Sequence, residues 1–339
     1  MKISPYSHQS KTDSIKKIAQ ARAAFIDPYS GLMAASPEVP VASYFLGPAN
    51  GSAVSALSAY AYGLLVPLAE AVGDIETARL YTDTANKLRD AINEHLWNPS
   101  EGVYGLSTDA PSNYSYTSIA LTILSDTANS TQAASMIARL SDLRCGEGYK
   151  TQSSDDCNEQ TQLAPNPSGF LLESLFKAYR DHGTNVTVAQ VLLDDFCSKM
   201  VTNDTFTSGA SWEYLFPDGS PGIGDFTSLA QPWSGASTYI LPEYILGITP
   251  FTPGFRTWKF APLVDALRLT NASGTVVSPF GDIDASRQIE GEEIVVTVVV
   301  PNGTEGILVI SDDVEEGHPL QHTKLTGGKT HRINIAKKS

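Results

Sequence analysis

Trp212 and Glu213 stand side by side in residues 208–214 (SGASWEY), and a second tryptophan, Trp233, follows the Gly/Pro-rich turn of residues 217–225 (PDGSPGIGD). An aromatic ring beside a carboxylate, on a loop between helices, suits carbohydrate chemistry. The C–H faces of sugars stack on aromatic rings, and glycosidic cleavage needs positioned carboxylates. A plainer reading makes Trp212 a core residue and Glu213 a solvated loop charge, and residue types alone leave both open.

Whatever this segment does, helices must position it. Asp13–Ile26 has helical apolar spacing through Ile15, Ile18, Ala19 and Phe25, and Asp27, Pro28 and Gly31 end it. A loop with Pro37, Pro40 and Pro48 leads to a long apolar segment, Ser52–Val72, which Gly63 and Pro67 are expected to kink or split. Ile75–Leu96 is amphipathic, with Ala78, Leu80, Tyr81, Ala85, Leu88, Ile92 and Leu96 expected on its buried face. Two further hairpins are expected from Tyr114–Ser125 with Ser130–Leu140, and from Ser168–Asp181 with Val188–Met200. Ser234–Leu246 reads as another helix, interrupted near Pro242. Such recurring hairpins could build an open helical stack, but no repeated signature is present, which counts against that arrangement.

From Phe255 onward the pattern changes to short runs rich in Val, Ile and Thr, divided by Gly, Pro and Asn. It predicts an all-β module of five or six strands, with a boundary near residues 250–254.

Composition narrows the partners. The chain has 339 residues, 42% of them hydrophobic, so it can bury a large core plus a small one. A net charge of −14 and a pI near 4.8 argue against nucleic acid or an anionic membrane surface. No continuous apolar run of membrane-spanning length is present, and the first residues, MKISPYSHQSKTDS, lack the apolar stretch of a signal peptide. Yet seven N-x-S/T sequons, headed by Asn50, Asn113, Asn129, Asn185, Asn203, Asn271 and Asn302, suit a secreted lineage.

Of the three cysteines, Cys145 and Cys157 flank a polar loop and can form a local disulfide, whereas Cys197 lies on a helical pattern as a small buried residue. No C-x-x-C spacing supports a metal, and His318 and His322 read as surface residues. Asp155, Asp156, Asp218 and Asp225 read as loop charges, with Asp225 the least implausible second acid. Trp97 reads as closing a helix end, Asn166 as part of a helix cap, and Tyr114 and Tyr116 as pocket lining or packing.

The ordered run SWEY followed by PDGSPGIGDFTSLAQPWSGASTYILPEYILGITPFTPGFRTW closely resembles the C-terminal part of fungal α-L-rhamnosidases. The resemblance implies a mainly α fold: a partial (α/α)6 six-hairpin toroid over residues 1–252, then a small C-terminal β-sandwich over 253–339. It implies inverting hydrolysis of terminal α-L-rhamnose from glycosides, with no cofactor and an extracellular setting. Glu213 matches the family's general base, and Trp212, Gln231 and Trp233 shape the sugar site. Two departures accompany it. Gln231 stands where family members usually carry a histidine. The family's twelve helices are also more than the roughly eight found here, and the acidic segment expected upstream of this chain has no counterpart. The competing expectations are therefore a glycosidase, an inactive remnant that binds sugar weakly, and a helical interaction scaffold.

Overall fold

The structure, a computed structural model, describes residues 5–34, 46–206, 208–263, 266–310 and 321–336. Pro37, Pro40, Thr207 and His318 lie outside them. Two compact units are present, residues 1–185 with 194–234, and residues 186–193 with 235–339.

The first unit is helical. After α1 (Pro5–Ala23), the apolar segment forms one helix, α2 (Ser52–Ala71), uninterrupted at either Gly63 or Pro67. A helical proline clashes with the carbonyl four residues earlier, and that residue is Gly63, whose backbone adapts most easily. Among the described residues, α2 is the one helix long and apolar enough to cross a membrane, though half of that stretch is buried inside the protein.

The next helix, α3 (Ile75–His95), starts where the Asp74 carboxylate accepts the Thr77 N–H at 3.1 Å. Ala78, Tyr81, Ala85, Leu88 and Ile92 are buried along it, as expected, but Leu80 is exposed. Leu80 sits about 200° around the helix from Ala78, on the flank away from the core.

Two more helices, α4 (Tyr116–Leu124) and α5 (Ser130–Ala138), form the second hairpin. Every residue of α4 is buried, and a capping box of Asn129 and Gln132 opens α5. The third begins with α6 (Pro165–His182), three residues ahead of its expected start, with proline rather than a side-chain cap at its N-terminus. Asn166 is therefore inside the helix and does not cap it. Where one further helix was expected the chain has three pieces: α7 (Thr187–Val191), which belongs to the second unit, a π-helical stretch Leu192–Cys197, and α8 (Ser198–Thr202).

Within the first unit, α2 packs against α3 and α4, and α4 against α5 and α6. So α2, α4 and α6 form one row, with α3 packed on α2 and α5 on both α4 and α6. Single β-bridges tie the loops at the N-terminal ends of that row: Gly51 with Ser107, Ser115 with Gln152, and Leu163 with Leu215. Two short hairpins lie in the same connections, β1 (Trp97–Asn98) with β2 (Val103–Tyr104), and β3 (Arg144–Cys145) with β4 (Gly148–Tyr149).

In the second unit α9 (Ser237–Ile240) runs on as a π-helical turn, Leu241–Ile245, through Pro242. Eight strands follow: β5 (Ile248–Pro250), β6 (Thr257–Phe260), β7 (Asn271–Ser278), β8 (Gly281–Glu290), β9 (Glu293–Val300), β10 (Glu305–Ile310), β11 (Gln321–Thr326) and β12 (Lys329–Ala336). They form two four-stranded sheets, ordered β11-β10-β6-β5 and β12-β9-β8-β7. Trp258, Phe260 and Leu308 of one sheet share a core with Ile283, Val296 and Val298 of the other, a two-layer sandwich. The strands number eight where five or six were expected; β8 in particular is polar and does not stand out as a Val/Ile/Thr-rich run. The residue 252/253 boundary falls between β5 and β6.

Candidate active site

The segment around Glu213 is held by backbone pairing on both sides. Gln231 N–H donates to the Ser211 carbonyl at 2.8 Å, and Glu213 N–H to the Ser228 carbonyl at 2.9 Å. Residues 211–213 thus run against 228–231, and Gln231 comes to lie beside the Trp212–Glu213 pair. Leu215 exchanges two hydrogen bonds with Leu163, at 2.8 and 3.0 Å, which fixes the segment to the chain two residues before α6.

Trp212 is 0% exposed, its Nε1–H donates to Ser208 Oγ at 3.2 Å, and its ring meets Phe206 edge-on at 6.4 Å. Ser208 in turn donates to the Leu229 carbonyl, so one hydroxyl ties the buried indole to the opposing segment. The Trp212 ring therefore offers no open face for stacking; it packs beneath the site. Glu213 is half-buried, and its carboxylate Oε2 lies 3.5 Å from the Ser228 N–H.

Trp233 has the opposite character. It sits in the 3-10 turn Pro232–Ser234, which packs on α6, and is 45% exposed. That exposure leaves its ring accessible for stacking.

The turn after Glu213 is built by close contacts. Phe216 N–H donates to the Ser220 carbonyl at 2.8 Å, and Asp218 accepts from the Ser220 hydroxyl at 2.6 Å and its N–H at 2.9 Å. Those two hydrogen bonds hold the Asp218 carboxyl below the usual range. A Cβ on Gly222 would lie 2.7 Å from the Tyr214 Cβ and 2.8 Å from Leu215 backbone, so only glycine lets the turn fold back.

A disulfide joins Cys145 and Cys157, with Cα atoms 5.6 Å apart, as their flanking of one loop suggested. Beside it Gly146 packs directly on Pro217, and Glu147 N–H donates to the Pro217 carbonyl at 2.9 Å. The cross-linked loop thus buttresses the turn that follows Glu213.

The other candidates have structural roles. Asp155 accepts from Gln152 N–H at 3.1 Å and Nε2 at 3.0 Å, closing its own turn, while Asp156 and Asp225 are exposed. Tyr114 and Tyr116 are buried, with hydroxyls on Asp142 and the Ala164 carbonyl. Trp97 packs edge-on against Tyr104 at 5.0 Å, at the end of α3. Ser208 and Ser228, which orient Trp212 and Glu213, escaped the sequence reading because isolated serines carry no spacing signal.

Comparison with known proteins gives a consistent family. Residues 247–324 match the model of the bacterial alpha-L-rhamnosidase C-terminal domain. An alpha-L-rhamnosidase from Formosa agariphila is 26% identical over 220 residues, covering 60% of this chain and 22% of that protein. The chain thus spans about a fifth of that relative's length. Among solved structures, the Streptomyces avermitilis alpha-L-rhamnosidase complexed with L-rhamnose superposes with a TM-score of 0.68 at 18% identity, covering 97% of this chain and 31% of that one. The Aspergillus terreus enzyme superposes with a TM-score of 0.59 at 19% identity, covering 84% and 30%. The chain shares its fold with about a third of each of these structures, and it is similar in sequence to alpha-L-rhamnosidases.

Proposed function

We propose that this chain carries the general-base side of a glycosidase site that hydrolyses terminal α-L-rhamnose from glycosides with inversion. One observation carries the reading: Glu213 is half-buried next to the fully buried Trp212, and the Ser228 backbone holds both its N–H and its carboxylate. There the carboxylate can take a proton from water as that water attacks the anomeric carbon. Inversion requires an acid on the other face of the sugar, about 6.5–9.5 Å away, to protonate the departing oxygen. Trp233 would stack on the ring, Gln231 would hydrogen-bond its hydroxyls, and Trp212 would support the floor from beneath. In this reading residues 1–252 belong to a partial helical glycosidase domain and 253–339 to the β-sandwich. The disulfide and the sequons favour an extracellular setting.

A second reading, sugar binding without turnover, is favoured by the acidic loop residues. Asp155 and Asp218 are committed to their own turns, and neither is free to act as the acid partner. An aryl α-L-rhamnoside assay separates the two readings. Turnover well above that of Glu213→Gln, releasing β-L-rhamnose first by NMR, is the expected result. Turnover equal to that control removes the enzyme reading, and L-rhamnose binding by calorimetry then decides whether the binding reading stands.

A further inference from the structure

Phe226 is 89% exposed, yet it does not sit on a loose loop. Gly224 N–H donates to the Pro221 carbonyl at 3.0 Å, Phe226 N–H to Ile223 at 3.4 Å, and Thr227 N–H to Gly224 at 3.1 Å. The Thr227 hydroxyl accepts the Ile223 N–H at 2.7 Å, and Thr227 itself is buried. A hydrogen-bonded turn therefore holds a benzyl side chain in water, where an apolar ring gains nothing for the fold.

Its place in the chain gives it a use. Two residues on, Ser228 is the partner of the Glu213 backbone and carboxylate, and two residues of chain span at most roughly 7 Å. The acid and base of an inverting site flank a single sugar, about 6.5–9.5 Å apart. A ring attached to a sugar held at Glu213 would come within reach of Phe226. We propose that Phe226 is a specificity-determining wall that stacks on a ring-bearing leaving group. This rests on the terminal-rhamnose reading, because there every ring beyond the reacting sugar belongs to the leaving group. Both an aryl group and the C–H face of a second pyranose present the surface such a wall accepts.

The test uses the full chain and two non-hydrolysable probes, methyl and phenyl 1-thio-α-L-rhamnopyranoside, which share the sugar and differ in the ring. Calorimetry on the wild type should find the phenyl probe bound roughly three- to tenfold more tightly than the methyl probe. Phe226→Ala should bring that ratio to about one without changing methyl affinity or Tm, and Phe226→Trp should preserve it. A thio-linked rhamnosyl-glucoside in the same series reports whether a pyranose serves as well as an aryl ring. A preserved phenyl preference in Phe226→Ala overturns the proposal while leaving the rhamnoside site standing. A wild type that binds neither probe overturns both.

Discussion

Glu213 and Ser228 hold each other in both directions: the Glu213 N–H donates to the Ser228 carbonyl at 2.9 Å, and the Ser228 N–H lies 3.5 Å from Glu213 Oε2. The candidate base is thereby oriented by backbone rather than by another flexible side chain. Glutamine keeps a carbonyl oxygen for the Ser228 contact but is a far weaker base. Glu213→Gln should therefore leave Tm and L-rhamnose affinity unchanged while lowering kcat by about 10²-fold or more. Equal losses in affinity and kcat would mean that the carboxylate binds rather than catalyses.

The two tryptophans should separate cleanly by stability. Trp212 is fully buried, so Trp212→Ala should destabilise the protein by about 3–5 kcal/mol. Trp233 is 45% exposed, and Trp233→Ala should move Tm little while weakening sugar binding. Urea denaturation of both variants checks this. Comparable destabilisation would place Trp233 in the core.

The same contrast shows what sequence patterns can reveal. Helical periodicity located α3 because Ala78, Tyr81, Ala85, Leu88 and Ile92 recur on one face, yet it placed Leu80 inside because hydrophobicity alone does not say which flank has a neighbour. Pro67 reads as a break only until its carbonyl partner is seen to be a glycine. Strand β8 escaped notice because its sequence, GDIDASRQIE, is polar, though Ile283, Ala285 and Arg287 alternate inward. At the site, residue types singled out Glu213 and Trp233. That Glu213 is held against residues 228–231 depends on a contact between segments that no local pattern encodes.

Reducing the Cys145–Cys157 bond should act on the Glu213 turn as well as on stability. The loop it closes spans 12 residues, for which chain entropy implies about 2–3 kcal/mol. Cys157→Ser should lower Tm accordingly, and amide exchange at Glu147, whose N–H is bonded to Pro217, should accelerate. Unchanged protection at Glu147 would show that the turn is held without the cross-link.

Cys197, expected to be buried, is only partly so, and desolvation pushes its thiol up to about 12. In the folded chain it stays protonated at neutral pH, so iodoacetamide should modify it far more slowly than in urea. The linkage sign follows from which state ionises first. Unfolded cysteine loses its proton near pH 9, so stability should fall as pH rises from about 9 towards 12, a decline that Cys197→Ala should reduce. Rapid labelling of the native protein would contradict this burial.

Leu64, Leu68 and Val72 lie four residues apart along α2 and its end, exposed by 54, 55 and 55%. Beside this stripe, a cavity of about 390 Å³ opens between α1 and α2, lined by Ile15, Ile18, Ala19, Leu57, Ala61 and Leu65. Apolar side chains in such an arrangement favour association, because each contact removes them from water. Analytical ultracentrifugation of this chain should show concentration-dependent self-association. Introducing Leu64→Glu and Leu68→Lys together should suppress it, since the pair retains helical spacing and supplies a favourable charge match across one turn. Neither residue is buried, so Tm should stay within a few degrees of the wild type, which distinguishes lost association from lost folding. A wild type that remains monomeric at every concentration would show that this stripe is tolerated in water.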